Sequence, residues 1–350
     1  MKGYNMNKLL TISIAAYNVE NTIEECLNSF LPCQHFDLLE LLVINDGSHD
    51  RTAEIVGEFE KKYPENIKLV NKKNGGHGST LNKSLELASG KFYKVIDGDD
   101  WVNAKELDKL IDCLLTTQAD LIINDYVEVY PDHIRLVCDR SLYQNGFVYS
   151  FDTIFPDGNF NGNLFAMHAT TILTQRLRDV DMKIQEHCFY ADTEFMYYVG
   201  LAARTVQFNV SCAYQYRLGV AGQSVSAEGI YKHIEDLLKI EYRLIQLYNN
   251  DILQIHSRVK KHYLFAIIDT RYLLIFDYFI RIIQQDSKDY LFIDFLRKVQ
   301  TEYPEITRSF YLPLKYRLVK VYPSVFIKRM RFLEHTQIFM LLRRVKNKFC

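Results

Sequence analysis

The chain has 350 residues, and its 42 basic and 43 acidic side chains give a net charge of −1. This length is enough to bury a large core, and it predicts one catalytic domain followed by a helical region. Seven scattered cysteines without Cys-x-x-Cys spacing predict reduced thiols of a cytosolic protein. A membrane-spanning helix is not expected, because no run of about 18 uncharged apolar residues occurs. A cleavable signal is not expected either, since the first strand begins within ten residues of the N-terminus.

Four short apolar or β-branched runs, separated by helical patterns, occupy the first hundred residues. This alternation is typical of βαβ units with a largely parallel sheet. Ligands of such sheets bind at the carboxyl ends of the strands, and each run here ends in polar, small or acidic residues. We therefore expect one crevice at the ends of the four runs, which are residues 10–16, 39–44, 67–70 and 92–96.

The second run ends in Asn45-Asp46-Gly47-Ser48. An ionised carboxylate only accepts hydrogen bonds, so Asp46 is suited to the N–H of an imide and the hydroxyls of a ribose. The alternative is an Asx turn helped by Gly47, with Ser48 or Asp50 capping the next helix.

The third run is followed by the glycine-rich stretch Asn74-Gly75-Gly76-His77-Gly78-Ser79. Its backbone amides could approach phosphate or sugar hydroxyls, and the helix that follows is expected to stop at Gly90. Leu81 stands where a dinucleotide fingerprint needs its third glycine, which argues against a dinucleotide-dependent oxidoreductase. We expect a structural or substrate-adjacent role for His77, because no second histidine is near it.

The fourth run leads into Asp97-Gly98-Asp99-Asp100-Trp101. Three crowded carboxylates repel one another unless a cation lies between them, and oxygen ligands suit Mg2+ or Mn2+ that bridges nucleotide phosphates. The alternative is a polar turn that opens a helix, with Asp100 or Asn103 as N-cap and Glu106 completing a capping box.

Taken together, these motifs resemble the family-2 glycosyltransferases of the GT-A fold. The resemblance covers about residues 8–226 and rests on TISIAAYNVENTIEECLNSF, LLVINDGSHDRT, NGGHGSTLNKSLELASGKFYKVIDGDDW, FYADTEF and YQYRLGVAGQSVS, in that order. It implies an α/β, Rossmann-like, mostly parallel mixed sheet flanked by helices over residues 1–226, and leaves 227–350 as an appended helical region. It also implies an inverting, metal-dependent hexosyl- or N-acetylhexosaminyltransferase of the bacterial surface-polysaccharide type. The donor would be a UDP-sugar and the acceptor a hydroxyl of a polysaccharide or lipid-linked glycan.

The resemblance further implies roles for individual residues. Asp46 would bind the uracil ring, Asp97 would lie near the ribose and the metal, and Asp99 would be the main ligand of Mn2+ or Mg2+. Asp100 would lie next to the metal ligands without binding the metal itself. The full set of expected nucleotide-sugar contacts is Ala16, Tyr17, Asn18, Glu20, Asp46, Gly76, His77, Asn82, Asp97, Gly98, Arg217 and Ser224.

The transfer reaction also needs a general base within reach of the acceptor hydroxyl. Asp192 in FYADTEF is our candidate, because many family members carry Glu-Asp here with the aspartate as base. The alternative is that Asp192 caps a helix starting near Glu194. Ala191 replaces the preceding acid, so the alternative function is that of a catalytically inactive nucleotide-sugar-binding protein. His168, in the alternating run 168–173, could face the acceptor, although a lone histidine is more often a core residue.

Arg217 follows a short alternating strand and precedes a glycine-containing loop, which would suit it to hold a departing diphosphate. The alternative is a solvated loop arginine.

A basic, aromatic-rich segment begins at residue 315 and contains only Glu334 as an acid. It predicts binding to an anionic membrane surface, hence a cytoplasmic protein at the inner face of the membrane. A helix packed on the catalytic domain and a nucleic-acid contact are the alternatives, and we expect no nucleic-acid partner. The basic residues are Lys315, Arg317, Lys320, Lys328, Arg329, Arg331, Arg343, Arg344, Lys346 and Lys348.

Overall fold

The computed structural model describes residues 8–138, 143–154, 165–219, 226–281, 288–310 and Ile327. The chain divides into two compact units. The N-terminal unit comprises residues 1–221 and 257–264, and the C-terminal unit comprises residues 222–256 and 265–350.

A mixed, mostly parallel sheet forms the centre of the N-terminal unit. Its strand order is β3-β2-β1-β4-β9-β6-β10-β5, with β7 paired to β6 and β8 paired to β10. Strands β1 to β4 run parallel to one another, whereas β9 inserts antiparallel between β4 and β6. The strands are β1 (Leu10–Ala16), β2 (Leu39–Asn45), β3 (Ile67–Asn71), β4 (Phe92–Asp97), β5 (Trp101–Val102), β6 (Leu121–Val129), β7 (Ile134–Val137), β8 (Val148–Ser150), β9 (Thr170–Leu173) and β10 (Thr205–Arg217).

Helices flank this sheet, and the α/β fold expected from the sequence is confirmed. The helices that lie wholly in the N-terminal unit are α1 (Ile23–Phe30), α2 (Thr52–Lys62), α3 (His77–Leu87), α4 (Ala104–Thr116), α5 (Thr174–Asp179) and α6 (Ala191–Ala202). Strand β2 is buried along its whole length, as expected for a parallel strand covered on both faces. All four apolar runs of the first hundred residues are strands.

Helix α4 shows how the sequence sets a boundary. Its buried residues Leu107, Leu110, Ile111 and Leu114 follow helical spacing, and the Asn103 side chain accepts a hydrogen bond from the N–H of Glu106 as an N-cap. The N–H of Asn103 donates to the carbonyl of Ala213, and the Glu106 carboxylate accepts instead from the N–H of Cys212. The predicted cap is therefore present, but the box is not reciprocal.

Three boundaries differ from the predictions. His168 lies in a 3-10 turn, Met167–Ala169, directly before β9 and not within the strand. Helix α6 begins at Ala191, so it starts earlier than the predicted position near Glu194. The strand that ends at Arg217 is long, with 13 residues.

Gly90 does not stop α3, which ends at Leu87. A Cβ atom at Gly90 would lie 2.4 Å from the backbone nitrogen of Thr11. This glycine is therefore needed for the close approach of β1.

The C-terminal unit is helical. Helices α7, α8, α10 and α11 belong to it, and α9 begins in the N-terminal unit: α7 (Ala227–Lys232), α8 (Ile234–Asp251), α9 (Arg258–Arg281), α10 (Asp289–Glu302) and α11 (Pro304–Ser309). Aromatic rings build part of its core, with Tyr272 stacked on Phe310 and Phe279 stacked on Phe292. No helix among the described residues is long and apolar enough to cross a membrane. The basic segment from residue 315 lies outside the described residues except for Ile327, so its membrane role stays a prediction.

Candidate active site

The carboxyl ends of β1, β2 and β4 meet at one edge of the sheet. The strand register pairs Ala15 with Asp97 and Ala16 with Asn45. The N–H of Asp46 donates to the carbonyl of Ala16 over 2.9 Å. The predicted crevice therefore gathers Ala16, Asp46 and Asp97 from three different strand ends.

The Asp46 carboxylate holds the glycine-rich loop. Its Oδ1 accepts from Lys72 Nζ over 2.6 Å and from the Gly75 N–H over 2.9 Å, and its Oδ2 accepts from the Gly76 N–H over 2.8 Å. Ser79 Oγ lies 3.3 Å from Oδ1. The Ser79 hydroxyl makes its shorter bond to the carbonyl of Gly76, over 2.7 Å. Oδ1 thus accepts two short hydrogen bonds and Oδ2 accepts one, which leaves Oδ2 the larger capacity to accept from a ligand.

Glycines in this loop allow another part of the chain to approach. A Cβ atom at Gly78 would lie 2.2 Å from the carbonyl oxygen of Gln185. Asn82 clamps the same segment, because its side chain accepts from the N–H of Ile184 and donates to the carbonyl of Ile184. The structure therefore gives Asn82, a predicted nucleotide-sugar contact, two hydrogen bonds to the backbone of Ile184, and its ligand role stays a prediction.

The loop after β1 is tied to the loop after β2. Asn18 has a φ of 53° and its side-chain oxygen accepts from the N–H of His49. Glu20 accepts from the N–H of Arg51, and its own N–H donates to Asp50. Tyr17, by contrast, is exposed. Asn18 and Glu20 therefore shape this loop pair.

His77 and Asp97 form a hydrogen-bonded ion pair, with 3.1 Å between His77 Nε2 and Asp97 Oδ1. Burial lowers the pKa of His77, but the Asp97 carboxylate outweighs burial and the pKa is raised overall. Burial likewise disfavours the ionised form of Asp97, but the hydrogen bond and charge of His77 lower its pKa overall. The pair thus keeps Asp97 ionised.

The other two carboxyl groups have raised pKa values. Burial and then the charge of Asp97 raise the pKa of Asp99, and burial, Asp97 and Asp99 raise that of Asp100 well above its usual range. Asp100 is nevertheless fully hydrogen-bonded, because its two oxygens accept from the Tyr214 hydroxyl over 2.6 Å and from the Arg217 N–H over 2.7 Å. Burial is the larger cause of both raised pKa values, and the charges of the neighbouring carboxylates add to it in the direction expected from the sequence.

The Arg217 side chain lies against this acidic turn. Its Nε donates to the carbonyl of Asp99 over 2.8 Å, its Nη2 donates to Glu25 over 2.6 Å, and its guanidinium stacks 4.5 Å from the centre of the Trp101 ring. Gly98 is required here, since a Cβ atom would lie 2.8 Å from the carbonyl oxygen of Ala15. Ser224, another predicted contact, lies outside the described residues.

Among the described residues, one group can offer three converging metal ligands: Asp97, Asp100 and His168, whose ligand atoms lie within 4.8 Å of one another. His168 stacks on Tyr216, with 4.1 Å between ring centres. Burial lowers the pKa of His168, which favours the neutral imidazole that binds metals. Carboxylate oxygens suit Mg2+ and Mn2+, and the imidazole, a ligand more typical of transition metals, favours Mn2+ over Mg2+. Asp99, the predicted main ligand, is outside this group of three.

Asp192 is exposed in the first turn of α6, with no side-chain cap at that helix. Burial is the largest influence on the pKa values of His77, His168 and Tyr216, and the Asp192 carboxylate adds a smaller raising effect on each. Asp192 is therefore close enough to these three residues for its charge to affect their pKa values. The residue before the helix, Tyr190, has a φ of 64°, a strained value for an aromatic residue that is typical of functional sites.

Sequence comparison identifies the family of the domain that forms this edge of the sheet. Residues 11–136 match the model of glycosyl transferase family 2. The chain carries a family-2 glycosyltransferase domain. This domain includes Asp46, His77 and the acidic turn, whereas His168, Asp192 and Arg217 follow it in the chain.

Known relatives of this domain are much longer than the matched part. The chain is 34% identical to hyaluronan synthase of Pasteurella multocida over 137 residues, which is 35% of this chain and 14% of that protein. Shorter curated glycosyltransferase relatives are matched over about a third of their own length, 35% and 33%.

Solved structures share the fold over most of both chains. S. aureus TarS 1-349 in complex with UDP-GlcNAc superposes with a TM-score of 0.66 at 18% identity, covering 93% of this chain and 90% of TarS. The mannosyltransferase PcManGT from Pyrobaculum calidifontis, in complex with GDP-Man and Mn2+, gives a TM-score of 0.51 at 13% identity, covering 98% and 87%. At these identities the likeness concerns the fold, which is of the GT-A type.

Proposed function

We propose that this protein is an inverting, metal-dependent glycosyltransferase that moves a hexosyl or N-acetylhexosaminyl group from a UDP-sugar to a hydroxyl of a glycan. The observation that carries the proposal is the convergence of Asp97, Asp100 and His168 at the carboxyl edge of a family-2 domain. Carboxylates at this edge are where a nucleotide diphosphate and its cation bind in α/β sheets.

The donor would lie across the ends of β1, β2 and β4. Asp46 Oδ2, which accepts from the N–H of Gly76, would also accept from the imide N–H of uracil, and Asp97 would lie beside the ribose and the diphosphate. The UDP-GlcNAc complex of the TarS neighbour supports a uridine nucleotide as the donor class. Arg217 would exchange its contact with Glu25 for an oxygen of the diphosphate, because guanidinium binds both anions in the same forked geometry.

The cation would be held by Asp97, Asp100 and His168, with Asp99 able to join once the nucleotide is present. Mn2+ fits this mixed oxygen and nitrogen set, and the Mn2+ complex of PcManGT supports it. A bound divalent cation would neutralise the charge that develops on the departing diphosphate.

Asp192 is the proposed general base. It would take the proton of the acceptor hydroxyl as that oxygen bonds to the anomeric carbon. The bond from that carbon to the diphosphate oxygen breaks, and its electron pair leaves with UDP. One base and an attack from the opposite face give inversion. A polysaccharide or lipid-linked acceptor at an anionic membrane is supported by the likeness to hyaluronan synthase and by the basic segment from residue 315.

The test is a panel of UDP-sugars with and without Mn2+. The correct donor at about 100 times its dissociation constant should stabilise the protein by roughly 2.7 kcal/mol, and EDTA should remove most of this effect. UDP release should then be measured with the stabilising donor and glycan acceptors. Stabilisation without UDP release would assign the protein as a nucleotide-sugar-binding protein, which Ala191 makes conceivable, and absence of any stabilisation would refute the proposal.

A further inference from the structure

Lys94 lies in the middle of β4 and its side chain is fully buried. Its Nζ donates to the carbonyl of His168 over 2.8 Å and to the carbonyl of Thr170 over 3.3 Å. It also faces the ring of Tyr214, 5.8 Å from the ring centre. None of the ion pairs among the described residues involves Lys94, so backbone carbonyls and a ring surround its amine.

A buried amine without a carboxylate partner is costly for a fold. Burial lowers the pKa of Lys94 from 10.5 to about 7. An apolar side chain would fill the same place in a buried strand without this penalty, as Phe92 and Ile96 do two residues away on either side. The lysine therefore has a local role that core packing alone does not require.

The two carbonyls identify that role. They belong to residues on either side of Ala169, at the point where the 3-10 turn Met167–Ala169 becomes β9. The His168 ring projects from the same turn and brings its ligand nitrogen within 4.8 Å of the Asp97 and Asp100 ligand oxygens. Lys94 thus binds the backbone of the residue whose ring completes the candidate metal group.

We propose that Lys94 is a positioning residue that fixes the His168 imidazole beside Asp97 and Asp100 for metal binding. This inference rests on the proposed metal-dependent function and goes beyond it, because it assigns the orientation of one ligand to a lysine on another strand. Removal of a residue that orients a metal ligand typically weakens metal binding by 10- to 100-fold.

The experiment compares Lys94→Met with Lys260→Met. Lys260 is a matched control, because its Nζ also donates to two backbone carbonyls, those of Leu201 and Ala203 at the end of α6. Mn2+ binding in the presence of saturating UDP is followed by the electron paramagnetic resonance of free Mn2+. We expect a 10- to 100-fold weaker affinity for Lys94→Met and a change of less than about twofold for Lys260→Met.

A double-mutant cycle separates positioning from general damage. His168→Ala should itself weaken Mn2+ binding, and adding Lys94→Met to His168→Ala should cause little further loss, because both substitutions remove the same ligand. If Lys94→Met is insoluble, Lys94→Gln retains an N–H donor but is shorter, and it should show an intermediate loss.

Each outcome decides the matter. Equal Mn2+ affinity in the unaltered protein and Lys94→Met, or an additive loss in the double variant, would overturn the role of Lys94 and leave the proposed function intact. No Mn2+ binding by the unaltered protein would overturn both. Equal weakening by Lys94→Met and Lys260→Met would show a general effect of destabilisation and would also reject the inference.

Discussion

Replacing Lys72 with Met tests whether Asp46 organises the nucleotide edge. Lys72 Nζ lies 2.6 Å from a carboxylate that is only 4% exposed, and the lysine side chain is itself 21% exposed. Removing one partner of a fully buried pair costs about 3–5 kcal/mol. Here Asp46 keeps the N–H groups of Gly75 and Gly76, so it loses one charge-assisted hydrogen bond. The hydrogen bonds from Lys72 Nζ to the carbonyl of Lys73 and to Ser79 Oγ are lost as well. We expect about 2 kcal/mol.

Lys68→Met is the matched control. Lys68 also pairs with a buried carboxylate, Glu40, but over 3.2 Å and with a lysine side chain that is 51% exposed. Glu40 also accepts hydrogen bonds from Thr11 and Ser89. An exposed partner of this kind contributes about 0.2–1 kcal/mol.

Thermal unfolding followed by tryptophan emission measures both variants. Trp101 is the only tryptophan of the chain and lies in the N-terminal unit, so its emission reports the unit that holds the site. A loss of about 2 kcal/mol corresponds to a Tm lower by about 4–8 °C in a unit of this size. Lys72→Met should also weaken UDP binding more than Lys68→Met does. Equal losses in the two variants, in both stability and UDP affinity, would refute the role given to Asp46.

Two further substitutions address the acidic turn and the base. Asp99→Asn should raise the Tm of the protein in EDTA at pH 7, because the pKa of Asp99 is raised by burial and by Asp97. A carboxyl group with a raised folded pKa destabilises the fold once the pH exceeds its unfolded value of about 3.9, so a lower Tm would contradict this reasoning. The same substitution should reduce the stabilisation by Mn2+ with UDP. Asp192→Asn should lower turnover by about two to four orders of magnitude with donor affinity kept within a few-fold. Matching losses of affinity and of about 1 kcal/mol in stability would instead indicate a helix-capping role.

The strands were predictable because burial on both faces leaves a clear mark on the sequence. The run 10–16 is a strand over its whole length, and β2 and β4 each extend one residue beyond the predicted end, to Asn45 and Asp97. Crowded carboxylates could also be recognised, since their repulsion depends on residues that adjoin in the chain. Strands β2 and β4 each continue into a polar residue that the apolar pattern does not include, because there the strand passes into the site.

Contacts between distant segments could not be predicted. Gly78 suggested an approach to phosphate, whereas the group that approaches it is the carbonyl of Gln185, more than a hundred residues later. A glycine in a sequence indicates that another group packs closely against the backbone, but it does not identify that group. The partners of Lys94 were hidden for the same reason, because β9 joins the sheet antiparallel beside β4 and only this pairing brings His168 to the lysine.

These long-range contacts change how substitutions at Asp46 should be interpreted. The Asp46 carboxylate holds the N–H of Gly75, and the carbonyl of Gly75 accepts the N–H of His187 over 2.5 Å. His187 belongs to the segment that leads through Tyr190 into α6 and Asp192, so two hydrogen bonds connect the nucleotide edge with the backbone before the proposed base. Loss of Asp46 should therefore disturb turnover as well as UDP binding. A combined loss in Asp46→Asn is then expected even if uracil is its only ligand contact, whereas Lys72→Met loosens the same loop without removing the acceptor oxygens. Comparing these two variants separates the effect of losing the contact between Asp46 and uracil from the effect of loosening the hydrogen bonds that connect the loop with His187.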